Sequence, residues 1–94
     1  MLVIIDGPLP ASSVPLSGNT ITLGRSASNT VVLDDEFVSS HHARVYTDPA
    51  TGKWAIEDLG STNGTVVNQQ RLNAPMILGS RVPVRIGATT FELR

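Results

Sequence analysis

Short runs of β-branched and aliphatic residues alternate with polar turns along the whole chain, and no window shows the period of an amphipathic helix. Turn signals recur at about the 8–12-residue spacing typical of a β-sandwich. The pattern therefore predicts an all-β fold, a two-sheet antiparallel β-sandwich with functional loops at its ends. The predicted strands are Leu2–Ile5, a weak one near Val14–Leu16, Thr20–Leu23, Thr30–Leu33, Ala43–Thr47, Lys53–Asp58, Thr65–Val67, Gln70–Leu72, Arg81–Ile86 and Thr89–Leu93.

Prolines and glycines indicate where these strands are interrupted. Residues 7–13 contain two prolines and are predicted to form a loop, and residues 48–52 are predicted to connect a hairpin. Pro83 falls inside a strand-like run and cannot donate to a ladder hydrogen bond. That strand is therefore expected at a sheet edge or at a bulge.

Length and composition limit the possible functions. Residues 1–94 suffice for one domain with a two-layer core. The 7 basic residues are dispersed along the chain and balanced by 8 acidic ones, so no nucleic-acid footprint is visible. Because there is no cysteine, neither a disulfide framework nor a cysteine-based metal site can form.

The apolar start of the chain is too short for a targeting or membrane segment. Met1–Ile5 has only five apolar residues before Asp6 and no basic residue ahead of them. We expect a cytoplasmic domain that is not membrane-embedded, or one at the cytoplasmic face of a membrane if a longer protein is anchored there.

Three predicted loops contain donors of hydrogen bonds. Arg25 follows a strand that ends at Gly24, Ser39 and Ser40 precede another strand, and residues 58–65 form a polar loop with two glycines. A guanidinium fork, hydroxyls and backbone amides together suit a tetrahedral dianion. The simpler alternatives are a solvated Arg25 and a plain tight turn at Asn63-Gly64.

These segments together resemble one known family. Gly24-Arg25, then Asn29–Leu33, the S-x-x-H run Ser39–His42, and the loop 58–65 followed by Val67-Asn68 resemble a forkhead-associated (FHA) domain. Leu78–Val82 and Arg85–Gly87 resemble its last strands, so the resemblance covers nearly the whole chain. It implies a sandwich of the SMAD/FHA-like type. The chain is also similar to single FHA domains of actinobacterial proteins that work with Ser/Thr protein kinases.

The resemblance implies binding of phosphothreonine in an extended peptide. The implied partner is a phosphothreonine-containing protein or peptide, such as a Ser/Thr protein kinase or its substrate. The implied phosphopeptide-binding residues are Arg25, Ser39, Ser40, Thr62 and Asn63. Gly24, His42 and Gly64 are implied as structural support of the loops, and Phe37, His41 and Ser61 as a possible selectivity pocket. No cofactor or metal is expected, and we expect a monomer that binds no nucleic acid.

Neighbouring residues leave some alternatives open. Because His41 and His42 are adjacent at a strand entry, their side chains point to opposite faces and cannot chelate one metal together. Phe37 and Val38 can pack in the core or help form the selectivity pocket. Residues 34–36 are most simply a solvated acidic turn, or else they disfavour acidic residues in the ligand.

Two other functions are alternatives to phosphopeptide binding. Ser39, His42 and Asp58 are the residue types of a hydrolase triad. In the segment Gly60–Gly64, however, the serine is the second residue, whereas a nucleophile elbow has serine as the third. We therefore expect no enzyme. A module that assembles with its partner independently of phosphate is the alternative.

Overall fold

The chain forms two β-sheets in the computed structural model, which describes residues 1–16 and 18–94. The strands of this described part are β1 (Leu2–Asp6), β2 (Ser13–Val14), β3 (Thr20–Gly24), β4 (Val31–Val32), β5 (Ala43–Thr47), β6 (Trp54–Asp58), β7 (Thr65–Val67), β8 (Gln70–Arg71), β9 (Met76–Ile77), β10 (Val84–Ile86) and β11 (Thr89–Leu93). The predicted all-β sandwich is confirmed.

The larger sheet has the strand order β2-β1-β11-β10-β7-β8, and the smaller sheet has the order β4-β3-β5-β6-β9. Neighbouring strands are antiparallel except for β3 and β4, which pair in parallel with Leu23 opposite Val31. The antiparallel prediction therefore has one exception, which lies next to the loop that contains Arg25.

The hydrophobic core lies between the sheets and comes from the inward positions of each strand. Ile21, Leu23, Val45 and Ile56 from the smaller sheet are fully buried, and from the larger sheet Phe91 is the largest buried side chain. Full burial of such a side chain stabilises the fold by about 1.5–3 kcal/mol. This face-to-face packing fixes the strand ends from which the loops extend.

The expectation that Pro83 lies in a strand at a sheet edge or at a bulge is wrong. β10 begins at Val84, after the proline, and lies between β11 and β7 in the larger sheet. The Pro83 carbonyl accepts a hydrogen bond from Asn68 N–H at 2.9 Å, and Arg81 adopts a positive φ of 62°. The chain therefore turns sharply before the ladder begins, and the proline does not interrupt it.

The two sheets bring their functional loops to one end of the sandwich. Ala43 pairs with both Leu23 and Asp58, so the end of β3, the start of β5 and the end of β6 are adjacent. In the other sheet Ile86 pairs with Thr65 and Thr89, so the start of β7 and the β10–β11 turn lie at this end too. The loop 58–65 joins the two sheets here.

The chain termini lie at the opposite end. Leu2 pairs with Leu93, the amino group of Met1 donates to the Arg94 carbonyl at 2.8 Å, and Arg94 N–H donates to the Met1 carbonyl at 2.7 Å. In the described part of the chain no helix is long and apolar enough to cross a membrane.

Candidate functional site

The loop after β3 is anchored by a close approach of two backbones. A Cβ atom on Gly24 would lie 2.2 Å from the Ser40 carbonyl oxygen, so only glycine fits there. Arg25 N–H donates to the Ser39 carbonyl at 3.0 Å, and the buried Asn29 amide donates to the Ser40 carbonyl at 2.7 Å. The root of the exposed Arg25 side chain is therefore fixed against the serine loop.

His42 connects the serine loop to the loop before β7. Its ring is fully buried, its Nδ1 accepts a hydrogen bond from Ser39 N–H at 3.1 Å, and its Nε2 lies 2.8 Å from the Gly64 carbonyl. Since Nδ1 accepts, the proton is assigned to Nε2, which donates to Gly64. His41 is exposed, and its Nε2 lies 3.2 Å from the Ser28 hydroxyl.

The loop 58–65 folds around the carboxylate of Asp58. One oxygen accepts from Gly60 N–H and Ser61 N–H, each at 3.0 Å, and the other accepts from the Ser61 and Thr65 hydroxyls at 2.5 and 2.7 Å. Burial raises the pKa of Asp58, but these hydrogen bonds outweigh it and hold the pKa below its ordinary value of 3.8. The carboxylate therefore stays ionised and shapes the loop.

The next residues of this loop contact the serine loop directly. Thr62 N–H donates to the Ser39 hydroxyl oxygen at 3.1 Å, and the Asn63 side-chain amide donates to the Phe37 carbonyl at 2.8 Å. The Ser61 hydroxyl instead accepts from Gly64 N–H at 2.9 Å, within its own loop. Sequence reasoning placed Ser61 at a possible selectivity pocket, but its hydroxyl bonds back to Asp58 and Gly64.

An open groove brings the predicted phosphopeptide-binding residues together. It has a volume of about 570 Å³, and its walls include Arg25, Ser39, Ser40, Thr62 and Asn63, with His41 and Phe37 alongside. The ion pairs of residues 1–16 and 18–94 are Arg44–Glu57 and Arg94–Glu92, so within this part Arg25 forms no ion pair, although Glu36 lines the same groove. A guanidinium beside hydroxyls in an open groove is suited to binding an anion.

Phe37 and Val38 take opposite positions. The Val38 side chain is 2% exposed and belongs to the core, whereas Phe37 is 53% exposed. Phe37 lines the groove and also a second cavity of about 390 Å³, whose other lining residues are Asn63, Gly64, Val66, Arg85, Gly87 and Ala88. The core alternative therefore applies to Val38, and Phe37 lies outside the core.

The sequence predicts a solvated acidic turn at residues 34–36, but Asp35 is buried. It is 2% exposed and accepts hydrogen bonds from Phe37 N–H, Ala88 N–H and the Thr89 hydroxyl, all at 2.9 Å. Burial raises the pKa of Asp35, but these hydrogen bonds lower it by more than burial raises it, so the pKa lies below 3.8. Asp35 thus fixes the Phe37 loop to the β10–β11 turn.

Sequence reasoning missed Asp35 and the residues Val66, Arg85, Gly87 and Ala88 of the second cavity. Residues of a strand alternate between inward and outward positions, and only this alternation could have indicated that Arg85 lies at the surface. Nothing in the local sequence indicated that the cavity exists. Within the described residues no group of three or more His, Cys, Asp or Glu side chains could hold a metal ion.

The loops do not assemble a hydrolase triad. Both nitrogens of His42 are occupied by backbone groups, and the Ser39 hydroxyl accepts from Thr62 N–H. Asp58 is bonded to its own loop. In this arrangement the histidine ring has a structural hydrogen-bonding role at both of its nitrogens.

Known proteins have similar sequences and similar folds. The chain is 38% identical over 93 residues to the FHA domain-containing protein FhaB of Mycolicibacterium smegmatis, covering 99% of this chain and 59% of the relative. It thus spans about three fifths of that relative's length.

Two solved structures have a similar fold. EmbR of Mycobacterium tuberculosis, in complex with a low-affinity phosphopeptide, matches with a TM-score of 0.83 and 30% identity, over 97% of this chain and 23% of that one. The FhaA FHA domain, in complex with the intracellular domain of Rv3910, matches with a TM-score of 0.82 and 27% identity, over 99% of this chain and 97% of that one. Residues 21–87 also match the family described as FHA domain. The chain therefore belongs to the FHA domain family.

Proposed function

We propose that this domain binds phosphothreonine in an extended peptide and recruits the phosphorylated protein in Ser/Thr kinase signalling, without catalysing a reaction. The observation that carries the proposal is the groove in which Arg25, Ser39 and Thr62 line one open space. The relatives support it, since EmbR is found with a phosphopeptide and FhaA with the intracellular domain of another protein. We place the domain in the cytoplasm, where such kinases meet their substrates.

Each residue has a role that follows from its chemistry. Arg25 offers a planar fork of N–H donors to the phosphate, and the Ser39 hydroxyl can donate to an oxygen while it accepts from Thr62 N–H. The Asn63 amide holds the Phe37 carbonyl in the free domain, at 2.8 Å. Its remaining donor and acceptor capacity suits the backbone of an extended peptide.

A phosphate should bind far better than a carboxylate. Phosphate brings a charge of about −1.5 to −2 and three acceptor oxygens, whereas Asp or Glu brings one charge and two oxygens. The methyl group of phosphothreonine adds about 0.8 kcal/mol when buried, or roughly fourfold in affinity over phosphoserine. β-Branching also restricts the side chain to fewer rotamers, which favours threonine further.

Isothermal titration calorimetry against matched peptides tests the proposal. The peptides have phosphothreonine, phosphoserine, threonine or aspartate at one position in an otherwise constant sequence. We expect binding of the phosphothreonine peptide, weaker binding of phosphoserine, and none of the other two. Arg25→Ala should lower the affinity tenfold or more, since it removes a charge-assisted hydrogen bond worth about 1.5–3 kcal/mol.

Lys53→Gln serves as the matched control. Lys53 is exposed, it adjoins the hairpin at the far end of the sandwich, and its loss changes the net charge by the same amount. The control should bind as the wild type does. Failure of every phosphothreonine peptide in an oriented library to bind would refute the proposal. Equal binding of a partner before and after phosphatase treatment would instead indicate a phosphate-independent assembly module.

A further inference from the structure

One row of side chains crosses the outer face of the smaller sheet at its β9 edge. Tyr46 of β5 pairs with Ala55 of β6, and Ala55 pairs with Ile77 of β9. Directly opposed residues of neighbouring strands point to the same face of a sheet. The neighbouring residues Val45 and Ile56 are buried in the core, so this row lies on the opposite, outer face.

The row has a small residue between two large ones. Ala55 has only a methyl group, and the side chains of Tyr46 and Ile77 flank it on the same face. A cavity of about 190 Å³ lies here, lined by Tyr46, Asp48, Ala55, Pro75, Met76 and Ile77. Met76 is 45% exposed and Ile77 is 41% exposed, so apolar surface at this cavity faces water. Removal of such surface from water favours the entry of an apolar side chain.

The charged groups around this cavity are paired within the domain. The Arg44 guanidinium carbon lies 4.2 Å from the centre of the Tyr46 ring, and Arg44 Nε donates to the Glu57 carboxylate at 2.6 Å. The Asp48 carboxylate accepts two hydrogen bonds from its own hairpin, each at 3.1 Å. The cavity is therefore better suited to an apolar side chain than to a charged one.

A continuous surface connects this cavity to the proposed phosphate groove. Gly60 lines the groove and also a cavity of about 380 Å³ beside the end of β6. Pro75 lines that cavity and the one over Ala55. Gly60 has a φ of +79°, and nothing lies within 4 Å of the position of a Cβ atom on it, so no side chain blocks the exit from the groove there.

We call this continuous surface the lateral surface, and it consists of Gly60, Leu72, Pro75, Tyr46, Ala55 and Ile77. Among the described residues it shares none with the second cavity, which lies at the β10–β11 turn. The lateral surface therefore leaves the groove on a different side from that cavity.

The length of the lateral surface suits an extended segment. Ala43 pairs with Asp58 at the groove end of the strands, and Tyr46 pairs with Ala55 three residues farther along, or about 10 Å away. An extended segment advances about 3.3 Å per residue. A segment that leaves the groove over Gly60 therefore reaches this row within about six residues.

We propose that the lateral surface is a second docking site for the phosphorylated segment, of which one apolar side chain enters the cavity between Tyr46 and Ile77. The occupant is the polypeptide that contains the phosphothreonine, because the lateral surface begins at Gly60 in the groove itself. Once the phosphothreonine is bound, the second contact is intramolecular, so even a weak apolar contact adds affinity. This inference rests on the proposed function and extends its ligand.

Extended peptides test this site. A phosphothreonine peptide selected from the oriented library is lengthened at either end by a flexible segment of serine and glycine. Leucine then replaces one serine at a time, and each peptide is compared with its serine counterpart by calorimetry. At one position, outside the short peptide, we expect leucine to bind about fivefold tighter than serine, since part of its side chain is buried.

A matched pair of variants identifies the surface responsible. Ile77→Lys places a hydrated charge at the cavity and should bring the leucine-to-serine ratio to about one. Ile5→Lys is the control, because Ile5 is also 41% exposed but belongs to β1 of the larger sheet. It should leave the ratio at the wild-type value. Both variants should bind the short phosphothreonine peptide as the wild type does, which also verifies that they fold.

Nuclear magnetic resonance of the wild-type domain gives a test without a variant. The amide signals of Tyr46, Ala55 and Ile77 should shift when the extended leucine peptide is added. They should stay in place with the extended serine peptide, whereas the signals of Arg25 and Thr62 should shift with both.

The outcomes separate the two proposals. A ratio of one at every position, with Arg25-dependent binding retained, would overturn the lateral surface alone. An equal ratio in the wild type and Ile77→Lys would do so as well. No binding of any phosphothreonine peptide would overturn both proposals.

Discussion

Nε2 of His42 lies 2.8 Å from the carbonyl oxygen of Gly64, although 22 positions separate these residues in the chain. Through its other nitrogen the same ring accepts from Ser39 N–H. One buried imidazole thus sets the spacing between the serine loop and the loop that contains Thr62 and Asn63. The groups on these two loops that we propose to bind phosphate depend on this spacing.

His42→Phe should therefore lower the stability of the fold. The substitution leaves the Ser39 N–H and the Gly64 carbonyl without this partner, at about 1–3 kcal/mol for each buried group. We expect a loss of about 2–4 kcal/mol in the free energy of unfolding, measured by urea denaturation. His41→Phe, on the exposed neighbour, should change it by no more than about 0.5 kcal/mol. Equal stability of the two variants would contradict the assigned role of His42.

Gly24→Ala should lower the stability of the fold more than Gly52→Ala does. Its new Cβ would lie 2.2 Å from the Ser40 carbonyl oxygen, which is backbone and cannot move aside easily. We expect a loss of about 3 kcal/mol or more, together with weaker phosphopeptide binding. Gly52→Ala is the control, because its φ is +73° but nothing lies within 4 Å of the new atom. Left-handed backbone there should cost only about 1–2 kcal/mol. Urea denaturation of both variants checks the order.

The two adjacent serines should differ in importance. Ser39→Ala removes the hydroxyl that accepts from Thr62 N–H and faces the groove, so we expect about a tenfold loss of phosphopeptide affinity. Ser40 makes its contacts through its carbonyl, which accepts from Ser26 N–H at 3.2 Å and from the Asn29 amide at 2.7 Å. Alanine keeps that carbonyl, so Ser40→Ala should stay within about twofold of the wild type. Calorimetry with one phosphopeptide compares them, and a larger loss for Ser40→Ala would reverse the assignment.

Stability should decrease in acid because of Asp35 and Asp58. Both have a folded-state pKa below the ordinary value of 3.8, so the unfolded chain takes up protons first as the pH falls. Their contribution is complete well above pH 3.8, declines as the pH falls past that value, and is lost below the folded-state pKa values. Urea denaturation from neutral pH to about pH 3 should show this loss.

Asp58→Asn provides the comparison for this pH dependence. The difference in unfolding free energy between the wild type and this variant should shrink as the pH falls. A constant difference between the wild type and Asp58→Asn across the range would exclude the ionised carboxylate as the cause.

The sequence predicted most of the fold because alternation of apolar residues is a local property. The strands Ala43–Thr47, Thr65–Val67 and Thr89–Leu93 have the predicted bounds, and each has buried residues at alternate positions. β9 was missed, since its two residues, Met76 and Ile77, are both exposed and show no alternation. Such a strand exists only because β6 offers it a partner.

The loops were less predictable because their geometry depends on distant residues. The motifs predicted one site for Arg25, Ser39 and Thr62, and folding brings these residues around one groove. The burial of Asp35 depends on Ala88, which is 53 positions away, so no local pattern could indicate it. The second cavity likewise requires residues from three separate segments.

The paired ends of the chain also restrict how the domain can be tethered. Met1 and Arg94 lie side by side at the end opposite the groove, and the domain measures 34 × 26 × 25 Å. A segment joined to either end must run along the outside of the sandwich to reach the groove, which takes at least about eight to ten fully extended residues. Shorter linkers would leave the groove accessible only to separate molecules, whereas longer ones would also allow an attached segment to compete for it.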